Sequence, residues 1–109
     1  MAGKYVLSKS GSQFHFVLKA GNGETILNSE RYVSKAGATG GIDSVRVNAP
    51  FDARYVRKNA SNGRPMFNLK AANGEIIGTS ETYSTESARD KGIESVKANG
   101  RGAPVDDQT

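Results

Sequence analysis

A long stretch of this chain occurs twice, at a constant offset of 51 residues. Three motifs return in order: FVLKAGNGE as FNLKAANGE, SERY as SETY, and GIDSV as GIESV. Between Phe16–Asn48 and Phe67–Asn99, 16 of 33 aligned positions are identical, which is far more than chance would produce. A duplication of this kind predicts two copies of one supersecondary unit.

The length of the chain predicts how these copies fold. Its 109 residues suit one domain made of two tandem repeats, about 3–50 and 53–107. A copy of roughly 50 residues is close to the lower limit for independent folding, because it buries too little apolar surface. We therefore expect two copies that share one core around an approximate twofold axis. Such an internal pseudo-dimer favours a monomeric protein.

Alternating apolar residues predict the strands of each copy. Phe14, Phe16 and Leu18 alternate with His15 and other residues that face the opposite side, which is typical of a half-buried strand. The equivalent face of the second copy carries Phe67 and Leu69. Asn22-Gly23 and Asn73-Gly74 follow these strands and predict hairpins in which both turn residues take positive φ.

A helix follows the strands in each copy. Apolar residues recur at spacings of four and three (Ala38, Ile42 and Val45 in the first copy), which predicts amphipathic helices of about 14 residues. Ser34 and Thr85 are suited to be N-caps, because a hydroxyl accepts a free backbone N–H. The helices should end near Asn48 and Asn99-Gly100, in left-handed C-terminal positions.

The predicted element order defines the fold class. We expect an α+β fold in which two β-β-β-α(-β) repeats share one mostly antiparallel sheet of six or more strands. Both helices should cover one face of this sheet, with pseudo-twofold symmetry. The C-terminal stretch 103–107 is compatible with either a short edge strand or a frayed tail.

Composition narrows the function classes. The chain has no cysteine, which excludes disulfides and thiolate chemistry, and no apolar run near the length of a membrane span. The N-terminal sequence MAGK lacks the apolar core of a signal peptide, so we expect a cytoplasmic protein without membrane contact. The net charge of +4 is too small and too dispersed to predict a nucleic-acid-binding protein.

Basic residues nevertheless define one candidate interaction surface. The densest basic stretch lies at the join between the copies, and each hairpin strand adds one lysine. The candidates are Lys19, Lys70, Arg54, Arg57 and Lys58. They could support weak, sequence-tolerant nucleic-acid binding through phosphate contacts, or they could form an ordinary solvated surface.

A repeated polar motif is the second candidate. It comprises Ser29, Glu30 and Tyr32 in the first copy and Ser80, Glu81 and Tyr83 in the second. A buried network that joins the strand end to the helix start explains this motif without a ligand. The carboxylates could pair across the twofold axis, but no third group joins them, and His15 is the only histidine. We therefore predict no catalytic residues, no metal and no cofactor.

The quoted motifs resemble the YegP family of small bacterial proteins, and the resemblance runs from about Gly3 to the C-terminal tail. It implies that each unit is followed by a strand exchanged between the units, which favours Ala103–Asp107 as a strand. Arg57 departs from the pattern, since the matching position in the first copy is the apolar Leu7. The family is one of unknown function, so the resemblance implies no activity.

These observations support one prediction of function and one alternative. We expect a non-enzymatic domain that serves as a structural or protein-interaction module with an unknown partner. The alternative is the weak nucleic-acid binder described above.

Overall fold

The computed structural model describes residues 3–109. Within this range the chain forms seven strands, two α-helices and one short 3-10 helix. In chain order these are β1 Lys4–Ser10, β2 Gln13–Lys19, β3 Thr25–Asn28, α1 Lys35–Asn48, the 3-10 helix Asp52–Arg54, β4 Tyr55–Asn59, β5 Pro65–Lys70, β6 Ile76–Thr79, α2 Glu86–Gly100 and β7 Val105–Asp107.

The strands of residues 3–109 form one mixed sheet. Its order is β4-β5-β6-β3-β2-β1-β7. All neighbours are antiparallel except β7, which runs parallel to β1. The two copies meet where β3 pairs with β6, through Asn28 and Thr79. The predicted α+β class and mostly antiparallel sheet are confirmed. The resemblance implied an exchanged strand after each unit; within residues 3–109 it exists after the second copy, as Val105–Asp107, but not after the first, where the chain continues into the 3-10 helix and β4.

Both helices pack on one face of this sheet, as predicted. Helix α1 contacts β2, β5 and β6, while α2 contacts β2, β3 and β5, so each helix spans the boundary between the copies. Phe16, Leu18, Phe67 and Leu69 have no exposed surface and belong to one apolar cluster that includes residues of both helices. Phe14 differs from the prediction, because it stays half-buried at the margin of this cluster.

Two tyrosines show the approximate twofold symmetry directly. The Tyr5 hydroxyl donates to the Gly100 carbonyl at the end of α2, at 2.5 Å. The Tyr55 hydroxyl donates to the Ala49 carbonyl just after α1, at 2.7 Å. Each copy thus anchors the helix of the other, and burial raises the pKa of both tyrosines. This exchange supports the expectation of a shared core.

The symmetry breaks where the copies meet. Leu27 of β3 and Gly78 of β6 are equivalent residues. A Cβ at Gly78 would come within 2.6 Å of the Leu27 side chain. One leucine therefore fills the space beside the axis, and a side chain at the equivalent position would require Leu27 to move.

The hairpin turns lie where predicted, but their geometry differs. Gly23 and Gly74 have positive φ, of 85° and 87°, while no residue other than glycine does so within 3–109. The Gly23 N–H donates to the Ala20 carbonyl at 2.9 Å. This is a type I turn followed by a left-handed glycine, so the asparagine keeps ordinary backbone geometry. The Asn22 Oδ1 instead accepts from the Glu24 N–H at 3.0 Å.

The helix N-termini match the sequence prediction. Ser34 Oγ accepts from the Gly37 N–H at 3.0 Å, and Thr85 Oγ1 accepts from the Ala88 N–H at 3.0 Å. Each hydroxyl satisfies one backbone donor that the first helical turn leaves free. The two predicted N-caps are therefore confirmed.

The helix C-termini differ from the prediction. Helix α1 ends at Asn48 and α2 at Gly100, as expected, but the residue after each helix is right-handed. The Asn48 Nδ2 donates to the Ser44 carbonyl at 2.8 Å, and the Asn99 Nδ2 donates to the Ser95 carbonyl at 2.8 Å. Backbone donors beyond each helix satisfy terminal carbonyls, since the Phe51 N–H donates to the Asn48 carbonyl at 3.1 Å and the Ala103 N–H donates to the Asn99 carbonyl at 3.0 Å, so no left-handed residue is needed.

Candidate functional site

The serines of the repeated polar motif extend the strand ladders. Ser29 Oγ accepts from the Phe16 N–H at 2.8 Å and donates to the Glu30 carbonyl at 2.7 Å. Ser80 makes the same pair of bonds with Phe67 and Glu81, at 2.9 and 2.7 Å. A side chain that does both can end a strand without leaving a backbone donor unpaired. These hydroxyls are therefore engaged within the fold.

The tyrosines of the motif pack between the sheet and the helices. Tyr32 stacks on Phe16 at a ring separation of 6.3 Å, and Tyr83 stacks on Phe67 at 6.5 Å. A Cβ at Gly41 would collide with the Tyr32 hydroxyl, and Gly92 stands in the same relation to Tyr83. The SExY and GIxSV motifs thus form one contact in each copy.

The environment of these tyrosines is apolar with a carboxylate nearby. Burial raises the pKa of Tyr32, and the adjacent Glu30 raises it further. Burial and the charge of Glu81 act in the same direction on the pKa of Tyr83. Both phenols therefore stay protonated at neutral pH, as packing residues do.

The carboxylate of Glu81 is engaged by a neighbouring amide. The Glu81 carboxylate accepts from the Asn28 Nδ2 at 2.5 Å, across the boundary between the copies. Glu24 and Glu81 line one groove of about 680 Å³, together with Lys91 and Tyr83. Residues 3–109 contain no group of three or more His, Cys, Asp or Glu side chains placed to hold a metal ion.

The lysines of the two hairpin strands lie far apart. Strands β2 and β5 are antiparallel to each other and separated by β3 and β6. Lys19 ends β2 and Lys70 ends β5, so the two lysines occupy opposite ends of the sheet. Both lie on the open face, opposite the helices, because they alternate with the buried Leu18 and Leu69. The structure does not bring them together.

The basic residues at the join divide between the two faces. Arg54 lies over the Phe51 ring, and its Nε donates to Asn48 Oδ1 at 3.0 Å. Arg57 lies on the helix side, on the same side as Tyr55, whereas Lys58 alternates onto the open face opposite Met66. The five predicted basic residues therefore form no single cluster.

The edge strand of the first copy is covered. Strand β7 pairs with β1 in parallel, with Asp106 opposite Val6 and Asp107 opposite Leu7. The Tyr5 N–H donates to the Pro104 carbonyl, and the Leu7 carbonyl accepts from the Gln108 N–H, both at 2.8 Å. Leu7 is consequently buried, with 2% of its surface exposed.

Two half-exposed ion pairs accompany the backbone hydrogen bonds of β7. Lys4 lies 3.4 Å from Asp106, and Lys35 at the start of α1 lies 2.6 Å from Asp107. Hydrogen bonds from Lys35 and Thr109 hold the pKa of Asp107 well below its usual range. The acidic strand thus lies on a basic edge.

The equivalent edge of the second copy is open. Within residues 3–109, β4 pairs only with β5. The Tyr55 N–H is taken by the Asp52 carbonyl of the 3-10 helix, but no strand of residues 3–109 pairs with the outer side of β4 at Arg57. Arg57 stands where the first copy has the buried Leu7, and its guanidinium contacts Asp52 at 3.0 Å and Asp90 at 3.4 Å.

Asp52 lies where a strand equivalent to β7 would begin beside β4. It aligns with Ala103, which leads into β7 in the second copy. Hydrogen bonds from Arg57 and then Lys97 lower the pKa of Asp52 to about 2. Sequence reasoning named Arg57 as a basic residue and noted its departure from Leu7, but it did not identify the open edge behind that departure.

The described helices are also too short or too polar to cross a membrane.

Comparisons with known proteins agree with this fold. A family model described as a domain of unknown function, DUF1508, matches residues 9–55 and 60–107. UPF0339 protein YegP of Escherichia coli K12 is 60% identical over 110 residues, and a UPF0339 protein of Shewanella oneidensis is 57% identical over 110 residues; both alignments cover 100% of each chain.

Solved structures of two relatives have the same fold. The solution structure of UPF0339 protein SO3888 from Shewanella oneidensis, at 57% identity, gives a TM-score of 0.91 and covers 98% of this chain and 92% of that one. The solution structure of the protein of unknown function yegP from E. coli, at 60% identity, gives 0.93 and covers 100% and 95%. The chain therefore belongs to the DUF1508 family, whose function is unknown, and carries two tandem copies of its domain.

Proposed function

We propose that this chain is a non-enzymatic protein-interaction module that binds an extended segment of another protein at the free edge of β4. One observation carries the proposal. The equivalent edges of the two copies differ in their pairing. The outer side of β1 pairs with β7, whereas the outer side of β4 pairs with no strand of residues 3–109. An exposed strand edge offers unpaired backbone groups, and proteins use such edges to bind partners by strand addition.

The backbone groups that β4 exposes can be inferred from the hydrogen bonds of the equivalent strand β1. Tyr5 and Leu7 direct their backbone groups toward β7, and the intervening residues direct theirs toward β2. The matching outward residues on β4 are Tyr55, Arg57 and Asn59. Because the 3-10 helix already binds the Tyr55 N–H, an added strand would use the donors of Arg57 and Asn59.

A selection from random extended peptides tests this function. Peptides selected on the full chain should bind it at least about tenfold more tightly than Asn59→Pro, which loses an outward donor but keeps every charge and every β4–β5 hydrogen bond. The matched control is Asn59→Ala, which keeps the donor and should bind normally. Equal binding by the proline variant, or no selected peptide, contradicts the proposal.

A second candidate function, nucleic-acid binding, is favoured by one feature. Lys19, Lys58 and Lys70 share the open face of the sheet. Four phosphate contacts would give a slope of log K against log salt of about −3.6, and Lys19→Gln with Lys70→Gln would flatten it by about 1.8. Fluorescence anisotropy with single- and double-stranded oligonucleotides measures this. We expect no binding at micromolar protein, because the two lysines lie at opposite ends and the aromatic rings of Phe16 and Phe67 are buried.

We further propose that the module acts in the cytoplasm as a monomer. Its core is completed by the second copy within the same chain, so no second molecule is required for folding. Sedimentation at micromolar concentration should give the mass of one chain, and a stable dimer contradicts this.

A further inference from the structure

We propose that the segment bound at the β4 edge is acidic in an alternating pattern, with carboxylates on the open face of the sheet and a neutral residue between them. This inference rests on the proposed function and names the partner's chemistry at the same edge. The molecule's own β7 supplies the template, because it shows how a parallel acidic strand lies on a basic edge.

The open face of the β4 edge attracts a carboxylate. On a parallel added strand, the residues opposite Val56 and Lys58 face this side, as Asp106 does opposite Val6. Lys58 is exposed, and its ammonium lies in none of the ion pairs found among residues 3–109. In the first copy the cation that pairs with Asp106 is Lys4, two residues before Val6, whereas on β4 the free lysine is Lys58, two residues after Val56. Acidic residues at both open-face positions would therefore lie beside an unneutralised lysine.

The helix side of the same edge disfavours a carboxylate. The residue opposite Arg57 corresponds to Asp107, which the first copy binds through Lys35. In the second copy Glu86 replaces Lys35. Arg57 is already bound by Asp52 and Asp90, and Lys97 is bound by Asp52 and Glu94. An acid at this position would meet carboxylates rather than a free cation.

The charges at the β4 edge also distinguish a segment of another protein from the C-terminal tail of a second copy of this chain. The chain's own sequence APVDDQT would place its second aspartate on the helix side of β4, toward Glu86 and Asp90. The alternating sequence APVDVDT would place both aspartates on the open face. Charge therefore directs the tail to β1 and leaves β4 to a partner with the alternating pattern.

Labelled peptides and the full chain test this pattern. APVDVDT should bind about fivefold more tightly than APVNVNT and more tightly than APVDDQT, because an exposed ion pair contributes up to about 1 kcal/mol. Lys58→Gln should remove that fivefold preference, while Lys19→Gln, a change to an open-face lysine on β2, should not. Amide shifts of Arg57 and Asn59 should report binding at the edge.

A gain-of-function variant completes the test. Glu86→Lys restores the arrangement that Lys35 provides at β1, so it should raise the affinity for APVDDQT about fivefold and leave that for APVDVDT nearly unchanged. Peptides that bind at the edge, as judged by Asn59→Pro, but show no preference for alternating acids contradict the inference and leave the proposed function standing. Absence of any edge-dependent binding overturns both.

Discussion

The edges formed by β1 and β4 occupy the same place in two copies of one unit, yet one lies inside the sheet and the other at its rim. The cause is the connection between the copies. After α2 the chain is free to continue as β7, whereas after α1 the aligned residues must enter the second copy as the 3-10 helix and β4. Duplication therefore repeats the unit but cannot repeat its last strand.

The side chains at the two edges follow this difference. Where β7 covers the sheet the residue is Leu7, and at the β4 edge, which no strand of residues 3–109 covers, the residue is Arg57. Lys35 faces the acidic strand, and Glu86 stands at the uncovered position. An edge with charged residues is also less prone to pair with another copy. The aromatic contacts of the core, in contrast, are nearly identical, since Phe16 packs on Tyr5 and Tyr32 as Phe67 packs on Tyr55 and Tyr83.

The largest effects should arise where the copies are alike. Phe16→Ala and Phe67→Ala should each lower the free energy of unfolding by about 3–5 kcal/mol, because both rings are fully buried at the same position of the core. Chemical denaturation measures both values. A loss below about 1 kcal/mol in either variant would mean that its ring is exposed, and the equivalence of the two halves would fail there.

The second-largest loss of stability should distinguish the covered β1 edge from the open β4 edge. Leu7→Arg installs in the first copy the residue found in the second, and it should cost about 2–4 kcal/mol, because a charge under β7 is either buried or displaces the strand. Denaturation should show the loss, and the amides of β7 should exchange faster with solvent. A variant as stable as the parent would mean that β7 does not cover this position.

The reverse exchange should be nearly neutral for stability. Arg57→Leu removes an exposed guanidinium and should change the unfolding free energy by no more than about 0.5 kcal/mol. It should instead increase self-association, because an apolar open edge can pair with another copy. Sedimentation over a concentration series measures this, with Arg57→Gln as the polar control. Equal association of the two variants would indicate that the arginine does not protect the edge.

The smallest effect concerns acid. Hydrogen bonds lower the pKa of Asp107, so its pairing with Lys35 stabilises β7 above the ordinary aspartate pKa near 3.8 and is lost as the pH falls below about 4. The amides of β7 should therefore lose protection at acid pH. Carboxyl NMR titration should show that Lys35→Gln raises the pKa of Asp107 but leaves that of Asp52 near 2. Equal shifts at both aspartates would contradict the assignment of separate partners.

The sequence predicted most of this fold because its signals are local. Alternation placed Phe16 and Leu18 inside, and hydroxyls placed the helix starts at Ser34 and Thr85. Strand β7 has only three residues and no apolar pattern, so its own composition did not distinguish it from a tail. The resemblance to a family supplied that strand.

Other features depend on the order of strands, which local patterns do not contain. Lys19 and Lys70 stand at matching places in the sequence, and only the sheet order puts them at opposite ends. The glycine at Gly78 leaves room for Leu27 across the pseudo-twofold axis, a contact visible only once β3 and β6 are adjacent. The open edge of β4 likewise becomes visible only once the strand order is known.

The pairing of β1 with β7 has a consequence for synthesis of the chain. Lys4 and Asp106, which meet at this edge, are 102 residues apart, and of the strands described β7 leaves the ribosome last. At about 5–20 residues per second the first copy is available for seconds before its edge can be closed. During that interval Leu7 is uncovered, and the edge strand beside β2 is β1 rather than β7. The growing chain can therefore pair with its neighbours through β1 until its final strand emerges.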